Sequence, residues 1–305
     1  MSQGKLCGKV AIVTGAGRGI GAAVARRLAA EGASVVVNDL GAALDGSGSD
    51  ASPAEEVVEL ILKEGGVAVT DTANVANFDA VAGLVRGAID QFGELDVVVN
   101  VAGILRDRMI FNMSEAEWDA VLAVHLKGTF NTTRHASAHW KANANADRPR
   151  RLINFTSDSG LFGAPTQPNY AAAKMGIFGL TQSCANSLGR FGVTTNAIAP
   201  VADTRMNEDV PAAQRRRASG QNRDPEDVAT VVAYLASDSA SWCNGRVIGV
   251  SGRQVSLYSD PQVIRQVHSA EPWDLDELGA YMRQSFEPVR RNSDGRYKKM
   301  PSTPS

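Results

Sequence analysis

Residues Thr14–Gly21 have the sequence TGAGRGIG and determine the fold, because they join a strand to a helix through a glycine-rich turn. The apolar run VAIVT at 10–14 comes directly before the motif, and a helical pattern from Gly21 to Glu31 follows it. Glycines let the backbone turn tightly and approach a pyrophosphate, and a helix N-terminus offers free N–H groups to that anion. The motif therefore predicts the phosphate-binding loop of a dinucleotide site.

Strand-like and helix-like segments alternate from Lys9 to about Val250. The strand-like runs are continuously apolar, which is typical of parallel strands that helices cover on both faces. The chain is therefore predicted to be an α/β protein with a Rossmann-type, doubly wound parallel sheet of about seven strands. The predicted strands are residues 10–14, 34–38, 67–70, 96–100, 151–157, 193–199 and 246–250, and the predicted helices are Gly21–Glu31, Pro53–Glu64, Asn77–Phe92, Ser114–Lys141, Asn169–Phe191 and Pro225–Ser237.

One change in composition divides the chain. Residues 1–257 are predicted to form a single dinucleotide-binding domain, and residues 258–305 are a polar, proline-containing C-terminal extension with one helix and a flexible end. Four apolar residues share one stripe of a predicted helix over Asp274–Phe286. We expect this helix to dock on a protein surface, where it either closes a substrate site or only adds stability. The stripe consists of Leu275, Leu278, Met282 and Phe286.

The composition excludes several classes of protein. A chain of 305 residues with 44% hydrophobic and 21% charged residues is not globally disordered. The net charge of −2 gives no reason to expect a nucleic-acid or membrane partner. No apolar run approaches the roughly 20 residues of a membrane span, and a signal peptide is absent, so a cytoplasmic protein is expected. Three scattered cysteines, Cys7, Cys184 and Cys243, form neither a disulfide framework nor a metal pair, and no metal is predicted.

Asp39 bears on the choice of dinucleotide. It follows the second predicted strand, 24 positions after Gly15. A carboxylate there can accept hydrogen bonds from the ribose hydroxyls and would repel a 2′-phosphate, which favours NAD over NADP. Arg18 favours NADP mildly, because a basic side chain in the glycine loop could reach that phosphate. An ordinary turn residue is the alternative interpretation of Asp39.

Ser157, Tyr170 and Lys174 form a second constellation. Tyr170 and Lys174 are four positions apart on a predicted helix and therefore share one face. The ammonium one turn away, together with the positive nicotinamide of NAD⁺, is expected to lower the phenol pKa from about 10. Tyr170 can then act as a general base for alcohol oxidation or as an acid for carbonyl reduction. Ser157 lies at the carboxyl edge of a strand, where its hydroxyl could hold the reacting oxygen of the substrate.

Together these motifs resemble the short-chain dehydrogenase/reductase family over about Lys5–Gly252. Asn100-Val101-Ala102-Gly103 resembles the NNAG motif of the family, Ser157, Tyr170 and Lys174 match its catalytic triad, and residues 196–200 resemble the segment before its usual Pro-Gly. The resemblance implies a homodimer or homotetramer that pairs through the helix after Asn169. It also implies a dinucleotide site at Gly15, Arg18, Gly19, Ile20, Gly21, Asp39, Asn74, Val75, Asn100, Ala102, Gly103, Tyr170, Lys174 and Pro200.

His125 is a departure from the family pattern. The family usually has an Asn at this position, which completes a catalytic tetrad and holds a proton-relay water. An imidazole can also donate and accept hydrogen bonds, so His125 is a fourth catalytic candidate, while a packing role in the helix is the alternative. Asn74 stands where many relatives have Asp, and its amide is expected to contact the adenine.

A finer resemblance narrows the substrate class. VVVNDLG at 35–41, the long loop after it, GILRDR at 103–108 and VHLKG at 124–128 together resemble the (3R)-hydroxyacyl-CoA dehydrogenase module of peroxisomal multifunctional enzymes. This implies a (3R)-hydroxyacyl-CoA substrate held by Ser157 and Tyr170, with a hydroxysteroid as the alternative. A dinucleotide-binding sensor with weak catalysis is a third hypothesis. Three consecutive arginines, Arg215, Arg216 and Arg217, could meet the CoA phosphates, although such runs are usually solvated surface.

Overall fold

The computed structural model describes residues 4–145, 147–201 and 224–289. Its strands are β1 (Val10–Thr14), β2 (Ser34–Asn38), β3 (Val67–Asp71), β4 (Val97–Asn100), β5 (Arg150–Phe155), β6 (Val193–Val201), β7 (Val247–Ser251) and β8 (Gln254–Leu257). They form one sheet in the order β3-β2-β1-β4-β5-β6-β7-β8. The first seven strands are parallel, and β8 is antiparallel to β7. The predicted α/β class with a doubly wound parallel sheet is therefore confirmed.

Helices cover both faces of this sheet. The helices before β7 are α1 (Gly19–Ala30), α2 (Ser52–Lys63), α3 (Phe78–Phe92), α4 (Glu115–Leu122), α5 (Gly128–Ala142), α6 (Asp158–Phe162), α7 (Pro168–Leu188) and α8 (Pro225–Ala236), and α9 (Leu275–Phe286) follows β8 in the chain. The apolar sides of α1, α2 and α8 pack in one core cluster, and those of α3, α5 and α7 pack in another.

Strand β1 shows why its sequence is continuously apolar. Ala11 and Val13 belong to the first core cluster, whereas Val10 and Ile12 belong to the second. Successive side chains of a strand point to opposite faces, and here each face meets a layer of helices. Burying each large apolar side chain contributes about 1.5–3 kcal/mol. The central strands therefore hold the three layers together.

The sheet has one strand more than predicted. Ser251 of β7 pairs with Gln254 of β8, so only Gly252 and Arg253 form the turn between the two strands. Gly252 has φ of +53° and stands first in the turn, as expected of a type II′ hairpin. The pair Gly-Arg between two strand-like segments was a usable sequence signal for this hairpin.

The predicted single helix Ser114–Lys141 is interrupted. Between α4 and α5 the chain forms a π-helical segment over Ala123–Lys127. The Thr129 hydroxyl donates a 2.7 Å hydrogen bond to the His125 carbonyl, which gives this carbonyl a side-chain partner at the irregular turn. Such π-bulges insert an extra residue into a helix and are frequent at functional sites. The bulge determines where the buried His125 side chain lies.

The structure divides into two compact units, one through Tyr258 and one from Ser259 onward. Within the described part of the second unit, Asp274 caps α9 by accepting hydrogen bonds from the N–H groups of Asp276 and Glu277. The helix predicted there is thus present. In the described ranges no helix has the length and apolar character needed to cross a membrane. Arg215, Arg216 and Arg217 lie outside the described residues.

Candidate active site

A cleft of about 290 Å³ lies at the carboxyl ends of the parallel strands. Here β1 stands between β2 and β4, so the strand order reverses at β1. Open α/β sheets bind ligands in the crevice at this switch point. Most of the predicted site residues line the cleft, namely Gly15, Arg18, Gly19, Ile20, Gly21, Asp39, Asn74, Val75, Ala102, Gly103, His125, Tyr170, Lys174 and Pro200.

The glycine loop forms one end of the cleft from backbone alone. Gly15 has φ of +65°, and a Cβ on it would lie 2.6 Å from the Cα of Ala102. Gly19 has φ of +54° and begins α1. The first N–H groups of a helix have no partner within the helix, and the residues that carry them here line the cleft. The loop therefore fits a phosphate group of a dinucleotide.

Asp39 is held rigidly beside this loop. Its Oδ2 accepts a 2.7 Å hydrogen bond from the N–H of Gly17, and its Oδ1 accepts another of 2.7 Å from the N–H of Gly41. Each carboxylate oxygen has a second lone pair, which remains available for a ribose hydroxyl. Arg18 is exposed and lines the same end of the cleft. The group that favours NAD, Asp39, and the group that favours NADP, Arg18, therefore lie at the same end of the cleft.

The loop after β3 forms the wall predicted for the adenine. Asn74 and Val75 both line the cleft. The buried Asn131 of α5 donates a 2.8 Å hydrogen bond to the carbonyl of Val75, which fixes this loop against the helix layer. The side-chain Oδ1 of Asn74 accepts a 2.9 Å hydrogen bond from the N–H of Ala76, and the residue is exposed at the cleft.

Asn100 does not line the cleft. Its Oδ1 accepts a 2.6 Å hydrogen bond from Thr132 of α5, and its Nδ2 donates a 2.9 Å hydrogen bond to Asn154 of β5. Asn154 in turn donates to the hydroxyl of Thr181 in α7. All four side chains are buried. The structure thus places the side chain of Asn100 in a polar network that ties two helices to the sheet.

At the other end of the cleft, α7 carries Tyr170 and Lys174 on one face. The Lys174 Nζ lies 5.5 Å from the centroid of the Tyr170 ring and donates a 2.7 Å hydrogen bond to the carbonyl of Phe155. Ser157 follows β5, caps α6, and its side chain is hydrogen-bonded with the Tyr170 phenol. The three residues predicted to act together are therefore neighbours, although Ser157 and Tyr170 come from different elements.

The ionisation of these groups differs from the sequence-based expectation. Burial raises the pKa of Tyr170 to about 12. The hydrogen bond with Ser157 lowers this pKa by a smaller amount, and the Asp107 carboxylate raises it slightly further. Burial also lowers the pKa of Lys174 to about 7. The lowering predicted from the charges of Lys174 and NAD⁺ together is therefore not present in the protein alone. Desolvation disfavours the charged form of each group and is the largest cause of both shifts.

His125 lies between the cleft and the backbone of the segment after β4. Its Nε2 is 3.1 Å from the nitrogen and 2.8 Å from the carbonyl oxygen of Ile104. Its ring packs edge-on against Tyr170 with a centroid distance of 5.1 Å. Its Nδ1 is buried with no hydrogen-bond partner among the described residues. Burial, and secondarily the charge of Lys174, lowers the pKa of His125 to about 3, so its imidazole is neutral.

Asn169, which the sequence analysis did not single out, connects three parts of the site. Its Nδ2 donates 3.0 Å hydrogen bonds to the carbonyls of Arg106 and Glu117, and its Oδ1 accepts a 2.8 Å hydrogen bond from the N–H of Tyr170. The side chain is fully buried. Its position directly before the tyrosine, after Pro168, was the available signal, because a polar residue at a helix start often bonds backbone groups.

Comparison with known proteins identifies the family of the chain. A family model described as enoyl-(acyl carrier protein) reductase matches residues 15–252. Hydroxyacyl-CoA dehydrogenase ChsB1 of Mycobacterium tuberculosis is 44% identical over 92% of this chain and 89% of its own length. The peroxisomal hydratase-dehydrogenase-epimerase of Neurospora crassa is 38% identical over 82% of this chain, which spans 27% of that protein.

A solved structure is similar over nearly the whole chain. The crystal structure of a short chain dehydrogenase from Mycobacterium avium superimposes with a TM-score of 0.81 at 46% identity, covering 92% of this chain and 95% of that chain. The family match spans well over half of the sequence and includes the glycine loop and the Tyr170 helix. The chain thus belongs to the short-chain dehydrogenase/reductase family, a family of oxidoreductases that act on CH–OH groups.

Proposed function

We propose that this chain interconverts a secondary alcohol and a ketone with NAD as the hydride carrier. One observation carries the proposal. The cleft that begins at the Gly15 loop and Asp39 continues to Tyr170, Lys174 and His125. A single cavity therefore contains a phosphate cradle, a ribose acceptor and an acid/base group, which are the parts that hydride transfer to a dinucleotide requires.

Each catalytic candidate has a definite task in alcohol oxidation. Tyr170 takes the hydroxyl proton of the substrate at its phenol oxygen, and Ser157 holds the reacting oxygen by a hydrogen bond. NAD, which the Gly15 loop and Asp39 would hold, would supply the hydride acceptor and a positive charge for this chemistry. Lys174 adds its own charge when protonated and can bind a ribose hydroxyl through its Nζ.

The raised pKa of Tyr170 has different consequences for the two directions of the reaction. At about 12 the phenol keeps its proton at neutral pH, so it is ready to protonate a ketone oxygen during reduction. Oxidation needs the phenolate, and its formation depends on positive charge that lowers the pKa again. Lys174, whose Nζ lies 5.5 Å from the centroid of the phenol ring, can supply such a charge when it is protonated.

NAD is proposed over NADP because of Asp39. The carboxylate is fixed by backbone N–H groups of Gly17 and Gly41, so it cannot turn away easily from a 2′-phosphate. A like charge in a partly desolvated site disfavours that phosphate. Arg18 opposes this effect from an exposed position, where its charge is better screened.

A (3R)-hydroxyacyl-CoA is the proposed substrate. The support comes from two relatives, whose names state hydroxyacyl-CoA dehydrogenase and hydratase-dehydrogenase-epimerase activities. The residues of the resemblance, GILRDR and VHLKG, form the wall of the cleft at Ile104 and His125. We also propose a homodimer or homotetramer, in which exposed apolar residues such as Phe130 of α5 and Met175 of α7 are covered.

The test is NADH formation with (3R)-hydroxyacyl-CoAs of several chain lengths. The (3S) enantiomers are matched controls, and steroid alcohols form a parallel arm. We expect turnover with the (3R) thioesters and its loss by at least about a thousandfold in Tyr170→Phe, which keeps NADH binding. Turnover of the steroids alone would replace the substrate proposal. NADH binding without turnover of any alcohol would favour a sensor and contradict the proposed activity.

A further inference from the structure

The loop of residues 41–50, which we call the strap loop, is compact and closed at its base. The N–H of Asp50 donates a 3.0 Å hydrogen bond to the carbonyl of Leu40. Gly41 has φ of +70°, and a Cβ on it would lie 1.6 Å from the carbonyl oxygen of Asp50. Chain ends this close define a compact surface loop of the Ω type, a kind that is frequently functional.

The tip of the strap loop is fastened to the segment that follows β4. The N–H of Leu105 donates a 3.0 Å hydrogen bond to the carbonyl of Leu44, and the Arg106 Nε donates one of 2.6 Å to the carbonyl of Asp45. A Cβ on Gly46 would be 3.0 Å from the Cδ1 of Ile104, so the backbone lies directly on that side chain.

With these contacts at its tip, the strap loop crosses the cleft. The loop leaves β2 and reaches residues that follow β4, and β1 lies between those two strands. It must therefore pass over the carboxyl end of β1, where the glycine loop begins. Ala42, Ala43 and Gly46 of the strap loop line the same cleft as Gly15.

We propose that the strap loop closes over the bound dinucleotide and that Arg106 is its latch, a positioning residue that controls dinucleotide release. This rests on the proposed function, since it presumes a dinucleotide in the cleft. A hydrogen bond from a charged guanidinium is among the stronger kinds, so its loss is expected to loosen the tip of the strap loop. The dinucleotide can leave only after the bonds at Leu105 and Arg106 break.

The latch is also tied to the reaction end of the cleft. The carbonyl of Arg106 accepts a hydrogen bond from Asn169, whose other amide atom accepts from the N–H of Tyr170. The backbone of Arg106 is therefore fixed by α7 while its side chain holds the strap loop. A change at Arg106 is expected to act on dinucleotide release and to leave the anchoring of Tyr170 in place.

The experiment measures NADH dissociation by stopped-flow fluorescence in the wild type, Arg106→Met and Arg108→Met, with NADPH in parallel. Methionine keeps much of the side-chain length and removes the donor. Arg108 is the matched control, because it carries the same charge two positions away and pairs with Glu117 instead of the strap loop. We expect Arg106→Met to release NADH about fivefold faster, which corresponds to the loss of one hydrogen bond, and Arg108→Met to match the wild type.

Hydrogen exchange on the wild-type protein gives a second measurement that needs no variant. The N–H groups of Leu105 and Asp50 report opening at the tip and at the base of the strap loop. We expect NADH to slow exchange in peptides that cover 42–50 and 104–106. Unchanged hydrogen exchange in these peptides, or equal NADH release rates in all three proteins, would contradict the proposed closure of the strap loop. Neither result would contradict dinucleotide binding itself. Failure of both dinucleotides to bind overturns the proposed function itself.

Discussion

The two ends of the cleft are built from different kinds of chemistry. At the phosphate end, the groups offered to a ligand are backbone N–H groups of the Gly15 loop and a carboxylate, Asp39, that backbone N–H groups hold. At the reaction end, the groups are the side chains of Tyr170, Lys174 and His125, which come from α7 and the π-helical segment. Burial strongly shifts the pKa of each of these three.

Because of this difference, the two ends are expected to respond differently to pH and to substitution. Backbone donors do not titrate, so the phosphate end should depend little on pH and strongly on close approach at glycines. The reaction end holds three ionisable groups in one desolvated space, where the charge of each opposes or supports the others. Substitutions there should alter pH profiles, whereas substitutions at the phosphate end should alter affinity and dinucleotide choice.

Of the substitutions that test this difference between the two ends, Lys174→Ala is expected to have the largest effect on activity. Lys174 has a pKa of about 7, so its charge is present below pH 7 and is lost as the pH rises above it. We expect kcat/KM for alcohol oxidation to fall about a thousandfold at pH 6, and this loss to shrink at least tenfold by pH 9. Pre-steady-state and steady-state rates across this pH range provide the measurement. Lys174→Arg is the control, because guanidinium stays charged at both pH values.

A loss in Lys174→Ala that is equal at pH 6 and pH 9 would contradict the role of its charge. Lys174 would then act only through its position, as a ribose ligand or through its hydrogen bond to the carbonyl of Phe155. In that case the reaction end would resemble the phosphate end in its independence of pH.

Asn169→Ala should give the second largest effect, through position alone. Removing the amide leaves the carbonyls of Arg106 and Glu117 and the N–H of Tyr170 without their partner. We expect kcat to fall roughly 10- to 100-fold, because small misplacements of a reacting group cost about that much. The NADH dissociation constant should change less than threefold, because the effects of a substitution on distant groups are small. Ser114→Ala, which removes the cap of the neighbouring α4, controls for lost stability.

A matched loss of kcat in Ser114→Ala, or a fall in NADH affinity as large as the fall in kcat, would count against Asn169 as a positioning residue. Thermal unfolding of both variants shows whether their stabilities are comparable. The pH of half-maximal rate should stay that of the wild type in Asn169→Ala, since the charged groups of the site are unchanged.

The sequence predicted that Asp39 and the Gly15 loop would lie together, because glycine spacing, the strand before the loop and the position of Asp39 are local features. It also brought Ser157, Tyr170 and Lys174 together, through spacing on one helix and a family resemblance. The placement of Asn100 in a buried polar network depends on Thr132 and Asn154, which are distant in sequence. The π-bulge at His125 and the crossing of the strap loop likewise depend on contacts between elements, which a pattern of residue types does not contain.

The ionisation at the reaction end of the protein alone did not follow from the sequence. Proximity of Lys174 and Tyr170 was inferred correctly, but proximity alone implies mutual stabilisation of charges. Burial of both groups reverses the result. How deeply a side chain is desolvated depends on all layers packed around it, so it follows from the three-dimensional structure rather than from spacing.

Asp39→Asn should alter dinucleotide choice by a moderate amount. We expect the wild type to favour NAD over NADP by at least about tenfold in kcat/KM, and the amide to remove most of this preference by removing one charge. Kinetics with both dinucleotides at fixed pH provide the measurement. Asp45→Asn in the strap loop is the control, since it removes a charge nearby without changing the ribose acceptor. An unchanged preference in Asp39→Asn would assign dinucleotide choice to another group.

The smallest effect concerns stability and the neutral His125. Its pKa is about 3 in the folded chain and about 6.5 when unfolded, so the unfolded state binds more protons between these values. The free energy of unfolding therefore falls as the pH decreases from 6.5 toward 3.

In His125→Gln this contribution to the pH dependence of stability is absent, while the amide can still bond the backbone of Ile104. We expect the acid slope to become shallower by up to about 1.4 kcal/mol per pH unit. Urea unfolding at pH 6.5, 5.5 and 4.5 measures it, with the exposed His268→Gln as control. A slope that stays as steep in His125→Gln would mean that the imidazole is not kept neutral by burial, and the contrast between the two ends of the cleft would lose one of its three titrating groups.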